Sequence, residues 1–319
     1  MKRLQNEQSS LTLVQNLPDA LKALADYYLK GDGQRLLQGF KPGAMPLFTG
    51  TGLGWGAAHY MAQISHLPAM RLSQLQQFVP GSFEQQTPIV IFGEAPIDEL
   101  QRQFAGVRLF QINKEPLENT KFAWLPTFEA QEKPLEELRV VLWMSLAWLI
   151  ARKVGGADEE NGLNTLQGVR QRIQLMAEGS SAYFKRCQDL LKYSPRWILL
   201  GDDLQEESLR FAALMLAKNA RMLVSWALYD DFEQFYLPLI DPDAAVIHFR
   251  SERESKIDLV LDRAEEQGAV VVDVVDGFFW PHRSEAMQKM TLEPALTPIL
   301  NLMAGEMLSL SEQSLRAGN

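Results

Sequence analysis

Residues 46–54 read Pro-Leu-Phe-Thr-Gly-Thr-Gly-Leu-Gly, an apolar run that ends in three closely spaced glycines. Residues 46–49 have the character of a buried strand, and a helical pattern over residues 55–64 follows the glycines. A strand that ends in glycine and opens a helix directs backbone N–H groups and the helix dipole to the carboxyl edge of a sheet. The segment therefore predicts a βα unit whose turn can bind an anion.

The same order of strand, glycine and helix occurs again around Gly201. Further strands are predicted at residues 88–92, 107–112, 124–127, 197–200, 245–249 and 269–275, and further helices at 96–104, 134–153, 207–218 and 258–266. This alternation predicts an α/β fold of two tandem flavodoxin-like modules, each a parallel sheet with helices on both faces. Duplication of one module is the reading we favour, although any two α/β domains share such a pattern.

Three helical segments lie outside the two modules, at residues 11–37, 163–191 and 292–310. They set the predicted domain boundaries. We expect an N-terminal helical segment, a first domain, connecting helices, and a second domain with a C-terminal helix, at residues 1–44, 45–156, 157–194 and 195–319.

Composition excludes several classes of protein. The 319 residues are 46% hydrophobic and carry a formal net charge of −9, so nucleic acid is not an expected partner. Cys187 is the single cysteine and the four histidines are scattered, so we expect neither a disulfide scaffold nor structural zinc.

The sequence also bears on location. Residues 1–10 are basic at the start but lack the apolar core of a secretory signal. The longest apolar stretch, residues 140–151, is bounded by Arg139 and Arg152 and is shorter than the roughly 20 residues that cross a bilayer. We expect a cytoplasmic protein without a membrane partner.

The glycine turn raises the question of whether the chain has a nucleotide-binding motif. Gly52-x-Gly54-x-x-Ala57 is similar to a dinucleotide fingerprint, but residues 70–76 contain no acidic residue for a ribose. No Gly-x-x-x-x-Gly-Lys-Ser/Thr loop occurs. A plain tight turn is the alternative, and we expect no cofactor.

Residues 13–310 resemble the double sugar isomerase (SIS) domain family, which includes the isomerase half of glucosamine-6-phosphate synthase and the fructosamine-6-phosphate deglycases. The resemblance rests on Thr49 to Gly54, similar to the family's Gly-x-Gly-Thr-Ser turn, on the strand Ile89-Val90-Ile91-Phe92, on the helix around Lys133 and on residues 198–247. It implies a phosphosugar or related carbohydrate ligand and a homodimer with a shared site, and we expect no metal. The implied ligand-binding residues are Gly50, Thr51, Gly52, Leu53, Gly54, Gly93, Glu94, Asp202 and Gln234.

The motifs that carry chemistry in the family are altered here. The family's Ser-x-Ser-Gly-x-Thr phosphate loop reads Phe-Gly-Glu-Ala-Pro-Ile at residues 92–97, without a hydroxyl. Aligned with the family, Lys218 takes the place of the glutamate base, Gln234 that of the histidine, and the C-terminal lysine has no counterpart. Isomerisation needs a base that moves a proton between adjacent carbons. The residues that perform catalysis in the family are therefore lacking at all three positions.

Glu233, Lys218 and His59 are the remaining catalytic candidates, each with a plainer interpretation. Glu233 can be a solvated acid, Lys218 the cationic end of a helix, and His59 a helix-surface or core residue. The first hypothesis is a non-catalytic or impaired SIS protein that binds a sugar phosphate. The second is an active isomerase or deglycase whose relocated site uses these residues and a second subunit, and the third is a dimer scaffold.

Overall fold

The computed structural model describes residues 2–31, 33–78, 87–113, 123–126, 139–157, 159–191, 194–252, 257–285 and 292–318. Contacts divide the chain into two compact units. Unit A comprises Asn16–Arg170, and unit B comprises Gln171–Asn319 together with Met1–Gln15. The boundary at Arg170 falls within the connecting helices expected at residues 157–194, and the four predicted domain ranges stay a prediction.

Unit A contains sheet A, in which five parallel strands have the order β2-β1-β3-β4-β5. The strands are β1 Leu47–Gly50, β2 Ala69–Arg71, β3 Ile89–Phe92, β4 Leu109–Asn113 and β5 Ala123–Pro126. The helices that begin in the first part of the chain are α1 Lys2–Lys30, α2 Gly33–Leu37, α3 Leu53–Ser65, α4 Leu72–Leu75, α5 Ile97–Gln103 and α6 Arg139–Val154.

Sheet A has helices on both faces. Strands β1 and β3 are buried along their whole length, as expected for strands that are covered on two sides. One face packs against α4 and α5 through a cluster of Leu47, Leu72, Leu75, Ile89, Ile91, Leu100, Phe104 and Leu109. Helix α3 packs against α6 and also contacts β1 and β3.

Unit B contains sheet B, with the order β10-β9-β8-β6-β7. Its strands are β6 Arg196–Gly201, β7 Ser225–Leu228, β8 Ala244–Phe249, β9 Val270–Val275 and β10 Phe278–Pro281. All pairings are parallel except that of β10 with β9. The remaining helices are α7 Glu159–Glu178, α8 Ser180–Leu191, α9 Glu206–Met215, α10 Tyr229–Asp231, α11 Asp258–Glu266 and α12 Thr297–Gly318, with π-helical turns at Leu216–Ala220 and Phe232–Tyr236.

The two sheets share one strand order. In each, the first strand lies between the second and the third, and the fourth and fifth follow outward. This is the order of flavodoxin-like sheets. The predicted α/β class with parallel sheets flanked by helices is confirmed, with the antiparallel strand β10 as a departure from the all-parallel expectation.

Three strands escaped prediction, namely β2, β7 and β10. Each has only three or four residues and lies at an edge of its sheet. Their side chains are mostly half-buried or exposed, so they lack the continuous apolar run of a central strand.

Two helical segments also differ from prediction. Helix α9 ends at Met215 rather than at Lys218, because the chain widens into a π-helical turn and then Arg221 adopts a left-handed conformation with φ 55°. The connecting segment is two helices, since α7 ends before Gly179 and α8 begins after it. Residues 134–138 of the predicted helix at 134–153, together with Lys133, lie outside the described residues.

The length and composition of the helices bear on whether one of them could span a membrane. None of the helices in the described part of the chain combines the length and the apolar character that a bilayer crossing requires.

The close contact between the first turn of α3 and the end of β3 leads to a prediction about stability. A Cβ at Gly54 would lie 2.1 Å from the Phe92 carbonyl oxygen, so backbone must move to accept it. We expect Gly54→Ala to lower the free energy of unfolding by roughly 1–3 kcal/mol, as overpacking does, in urea denaturation of the full chain.

Gly162→Ala on α7 is the matched control. A Cβ there would have its nearest neighbours at 3.6–3.9 Å, an ordinary contact distance. Alanine in a helix should then raise the free energy of unfolding by about 0.5–1 kcal/mol. Equal effects of the two substitutions would contradict the close approach at Gly54.

Candidate functional site

The turn after β1 lies where the strand order of sheet A reverses, between β1 and β3. In doubly wound sheets a crevice opens outside the carboxyl ends of the strands at this point. Gly50 pairs with Phe92 in register, so the β1 turn and the β3 turn, which begins at Gly93, are neighbours. The structure therefore brings together the predicted ligand-binding residues at positions 50–54, 93 and 94.

Hydrogen bonds within the β1 turn determine which donors it offers. The N–H groups of Gly54 and Trp55 donate to the Thr51 carbonyl oxygen at 2.8 and 3.3 Å. Gly52 has φ 52° and ψ −124°, a conformation that glycine adopts most readily. Among the described residues, the N–H groups of Gly52 and Leu53 have no acceptor. They stand at the N-terminus of α3, which is 13 residues long, and a helix start of this kind attracts anions.

Arg71 adds a cation to the same edge, where the sequence pattern gave no prediction. It is the last residue of β2 and pairs in register with Gly50. Its guanidinium carbon lies 5.2 Å from the centre of the Trp55 ring, and Trp55 belongs to the first turn of α3. The side chain is exposed, so the guanidinium is held beside the glycine turn and open to solvent.

His59 occupies the second turn of α3 and is half-buried. Its ring lies nearly parallel to that of Trp55, with centroids 5.4 Å apart. Trp55 thus contacts both His59 and Arg71 through its ring. Through its contact with Trp55, His59 lies beside the β1 turn. The catalytic role of His59 stays a prediction.

The β3 turn contributes shape and one negative charge. Gly93 has φ 84°, its N–H donates to the Ile112 carbonyl oxygen at 3.0 Å, and its own carbonyl oxygen accepts from the Gln111 amide at 2.7 Å. Its backbone groups are therefore used inside the unit. Glu94 follows with an exposed side chain. No hydroxyl stands in this turn to replace the family's phosphate donors.

The corresponding edge of sheet B has different chemistry. Asp202 follows β6, accepts from the Gln205 N–H at 3.1 Å, and accepts a hydrogen bond from the Ser251 hydroxyl. Burial raises the pKa of the Asp202 carboxyl above its usual value, although both hydrogen bonds oppose the shift. A half-buried carboxyl group at this edge disfavours a phosphate dianion, so the two edges differ in the anion they can accept.

Glu233, Gln234 and Lys218 lie in unit B. Glu233 and Gln234 belong to the exposed π-helical turn that follows α10, and Glu233 lies 3.7 Å from the Arg263 guanidinium. Lys218 is exposed in the other π-helical turn, which returns the chain to the start of β7 at the amino edge of sheet B. Lys218 and Glu233 therefore occupy opposite edges of this sheet.

A buried polar network in unit B is the largest feature that sequence reasoning missed. His248 Nδ1 lies 2.9 Å from Asp273 Oδ1, and its Nε2 lies 2.8 Å from the Tyr229 hydroxyl. Asp273 also bonds Arg250 Nε at 2.7 Å and His282 Nδ1 at 2.9 Å. One carboxylate thus holds two imidazoles and a guanidinium.

The pKa values in this network shift in different directions. Burial raises the pKa of Asp273, but hydrogen bonds from His248 and His282 outweigh burial and leave the pKa below its usual range. Burial lowers the pKa of His248, despite its bond to Asp273. Burial also lowers the pKa of His282, but the bond to Asp273 outweighs it and the net shift is upward.

Strand pairing explains why the sequence hid both features. His248 and Asp273 are register partners on β8 and β9, and 24 other residues separate them along the chain. Arg71 ends a three-residue strand that has no sequence signal. The available signal is the arginine itself, within residues 70–76, where a dinucleotide site would have an acidic residue.

Comparison with known proteins bears on the fold. No family model matches the chain, and no curated protein matches it. Solved structures do match across nearly the whole length, with the C-terminal domain of glucosamine-fructose-6-phosphate aminotransferase from Francisella tularensis at 12% identity and a TM-score of 0.70, covering 96% of this chain and 95% of that one.

Two further solved structures agree. Glucosamine-6-phosphate deaminase from Thermotoga maritima matches at 14% identity and a TM-score of 0.65, over 95% of this chain and 94% of that one. Tagatose-6-phosphate ketose/aldose isomerase from Escherichia coli matches at 15% identity and a TM-score of 0.61, over 98% of this chain and 91% of that one. The chain therefore has the α/β fold of the SIS-domain phosphosugar isomerases.

Proposed function

We propose that the chain binds a sugar phosphate, or a related phosphorylated carbohydrate, at the carboxyl edge of sheet A and does not isomerise it. The observation that carries this proposal is the position of Arg71, in register with Gly50 and stacked on Trp55. The ligand class also draws support from the SIS fold.

Arg71 compensates for the hydroxyls that the β3 turn lacks. The Gly52 and Leu53 N–H groups provide donors for two phosphate oxygens. The α3 dipole adds a partial positive charge at the same place. A guanidinium provides paired donors and a full positive charge, and such charge-assisted hydrogen bonds are stronger than those of a neutral hydroxyl. The Trp55 ring restricts the Arg71 side chain, which lowers the entropy lost on binding.

The absence of isomerase activity is proposed on the surroundings of the catalytic candidates. Glu233 is exposed and close to the Arg263 guanidinium, and Lys218 lies at the amino edge of sheet B. His59 is stacked on the Trp55 ring. A base for enediol chemistry needs a defined position within hydrogen-bond reach of the substrate carbon's proton. Lys218 does not meet this requirement, because ligands of such sheets bind at the carboxyl edge, and the exposed Glu233 carboxylate faces the Arg263 guanidinium instead.

Three finer points of the proposal rest on the resemblance to the SIS family. We include a homodimer with a shared site, a cytoplasmic location, and ligand-binding roles for Asp202 and Gln234 within unit B. All three stay predictions.

An active isomerase or deglycase is the second candidate, and the hydrogen-bonded series Tyr229–His248–Asp273 favours it. Tyr229 follows the carboxyl end of β7 and is half-buried, while its hydroxyl contacts a buried imidazole that a carboxylate orients. A series of this kind can transfer a proton to or from a bound ligand. Glu233 remains the candidate base in this alternative.

Arg71→Gln tests the binding proposal. We expect it to weaken the binding of glucosamine 6-phosphate or fructose 6-phosphate by about tenfold or more, because hydrogen bonds from a charged group contribute roughly 1.5–3 kcal/mol. Isothermal titration of the full chain measures this loss. Fructose without phosphate should show no binding.

Arg108→Gln is the matched control. Arg108 is also exposed and also stacks on an aromatic ring, that of Phe110, but it precedes β4 at the amino edge of the same sheet. Its substitution should leave the affinity unchanged. Equal losses in the two variants, or no loss in Arg71→Gln, would contradict the proposal.

Isotope exchange tests the absence of catalysis. No fixed base is expected beside the sugar. The C2 proton of glucose 6-phosphate, the aldose isomer of fructose 6-phosphate, should therefore not exchange with deuterated water above the rate in buffer. NMR measures this exchange. Exchange catalysed by the chain would instead support the second candidate. In that event, exchange that is lost in Tyr229→Phe but retained in Tyr236→Phe would assign the Tyr229 series, and loss in Glu233→Gln would assign the base.

A further inference from the structure

A group of potential metal ligands lies in unit B, apart from the proposed phosphate site. Asp262 and Glu265 are three residues apart on α11 and therefore share one side of the helix. His282 follows directly after β10. One ligand atom from each residue lies within 4.8 Å of the other two.

His282 is the observation that distinguishes this group from a patch of acidic residues. Its side chain is fully buried. Its Nε2 atom has no hydrogen-bond partner, yet it lies 3.4 Å from Asp262 Oδ1. A buried polar atom normally has a hydrogen-bond partner, and a ring nitrogen that faces a carboxylate without bonding it is placed to bind a cation together with that carboxylate.

The other side of the His282 ring has the arrangement of a metal-binding histidine. Nδ1 bonds Asp273 Oδ2 at 2.9 Å. Histidines that bind metals usually donate their second ring N–H to a carboxylate, which fixes the tautomer and leaves the free nitrogen for the ion. Asp273 thus fills the supporting position behind the ligand.

The separation of the first two ligands fits a small ion. Two ligands about 2.0–2.1 Å from a tetrahedral zinc ion stand about 3.4 Å apart. This is the separation of His282 Nε2 from Asp262 Oδ1. Glu265 is exposed, so its side chain can rotate toward the same point without disturbing the core.

Charge also favours a cation. The described groups around His282 include four carboxylates and two guanidiniums, on Asp258, Asp262, Glu265, Asp273, Arg250 and Arg283. A divalent cation would neutralise the excess of negative charge among these groups. Arg283 is the internal competitor, because its guanidinium donates from Nε to Asp262 Oδ1 at 2.6 Å and from Nη2 to Asp262 Oδ2.

We propose that Asp262, Glu265 and His282 bind one divalent transition-metal cation, with water completing the coordination. One imidazole nitrogen and two carboxylate oxygens suit zinc, and zinc should bind more tightly than manganese, whereas magnesium and calcium prefer sites made of oxygen alone. The ion would connect the end of β10 to α11. The proposal does not depend on the phosphate site.

Zinc titration of the full chain against a chromophoric chelator at pH 8 tests the site, since protons compete least with the imidazole there. We expect one equivalent of zinc to bind. Glu265→Gln should weaken this binding by about tenfold or more, given that even groups outside the coordination sphere contribute about 10–100-fold. Glu266→Gln, an exposed neighbour on the same helix, is the matched control and should leave binding unchanged.

Arg283→Gln gives a result of opposite sign. If Asp262 binds the ion, removing the competing guanidinium should tighten zinc binding. Thermal denaturation without metal verifies that each variant is folded, and zinc should raise the melting temperature of the wild type more than that of Glu265→Gln. Absence of bound zinc, equal affinities in Glu265→Gln and Glu266→Gln, or weaker binding in Arg283→Gln would each overturn the proposal.

Discussion

The approach of helix α3 to the end of strand β3 governs the candidate site of unit A. No side chain fits at Gly54, because a Cβ would lie 2.1 Å from the Phe92 carbonyl oxygen. This contact places the start of α3 at the switch point of sheet A and so places the Gly52 and Leu53 N–H groups there. It also sets the position of Trp55, on which the Arg71 guanidinium stacks. Fold and candidate site therefore depend on the same glycine.

The two sheets show how one strand order can support different electrostatics. At the switch point of sheet A, backbone donors and an arginine favour an anion. At that of sheet B, the Asp202 carboxyl group is half-buried and bonded to Ser251. Unit B instead concentrates its polar groups around Asp273, between β8, β9 and the segment after β10. Chemistry in this fold is thus set by the residues at strand ends rather than by the order of strands.

Central elements could be predicted from the sequence because their signals are local. Strands such as β3 and β8 are short apolar runs buried on both faces, and helix α11 has the bounds that its pattern predicts. Glycine at positions 50–54 marked the turn. The edge strand β2 gave no such signal, and with it Arg71 was missed. The contact of His248 with Asp273 depends on strand pairing, which no single stretch of sequence encodes.

The central claim is that a sugar phosphate binds through the backbone of the β1 turn. Backbone amide shifts, measured by NMR during titration with fructose 6-phosphate and in parallel with fructose, test it most directly. The account predicts that fructose 6-phosphate moves the Gly52 and Leu53 amide signals and the Arg71 side-chain signal, and that fructose moves none of them. Shifts confined to the surroundings of Asp202 and Ser251, or equal shifts with both sugars, would contradict it.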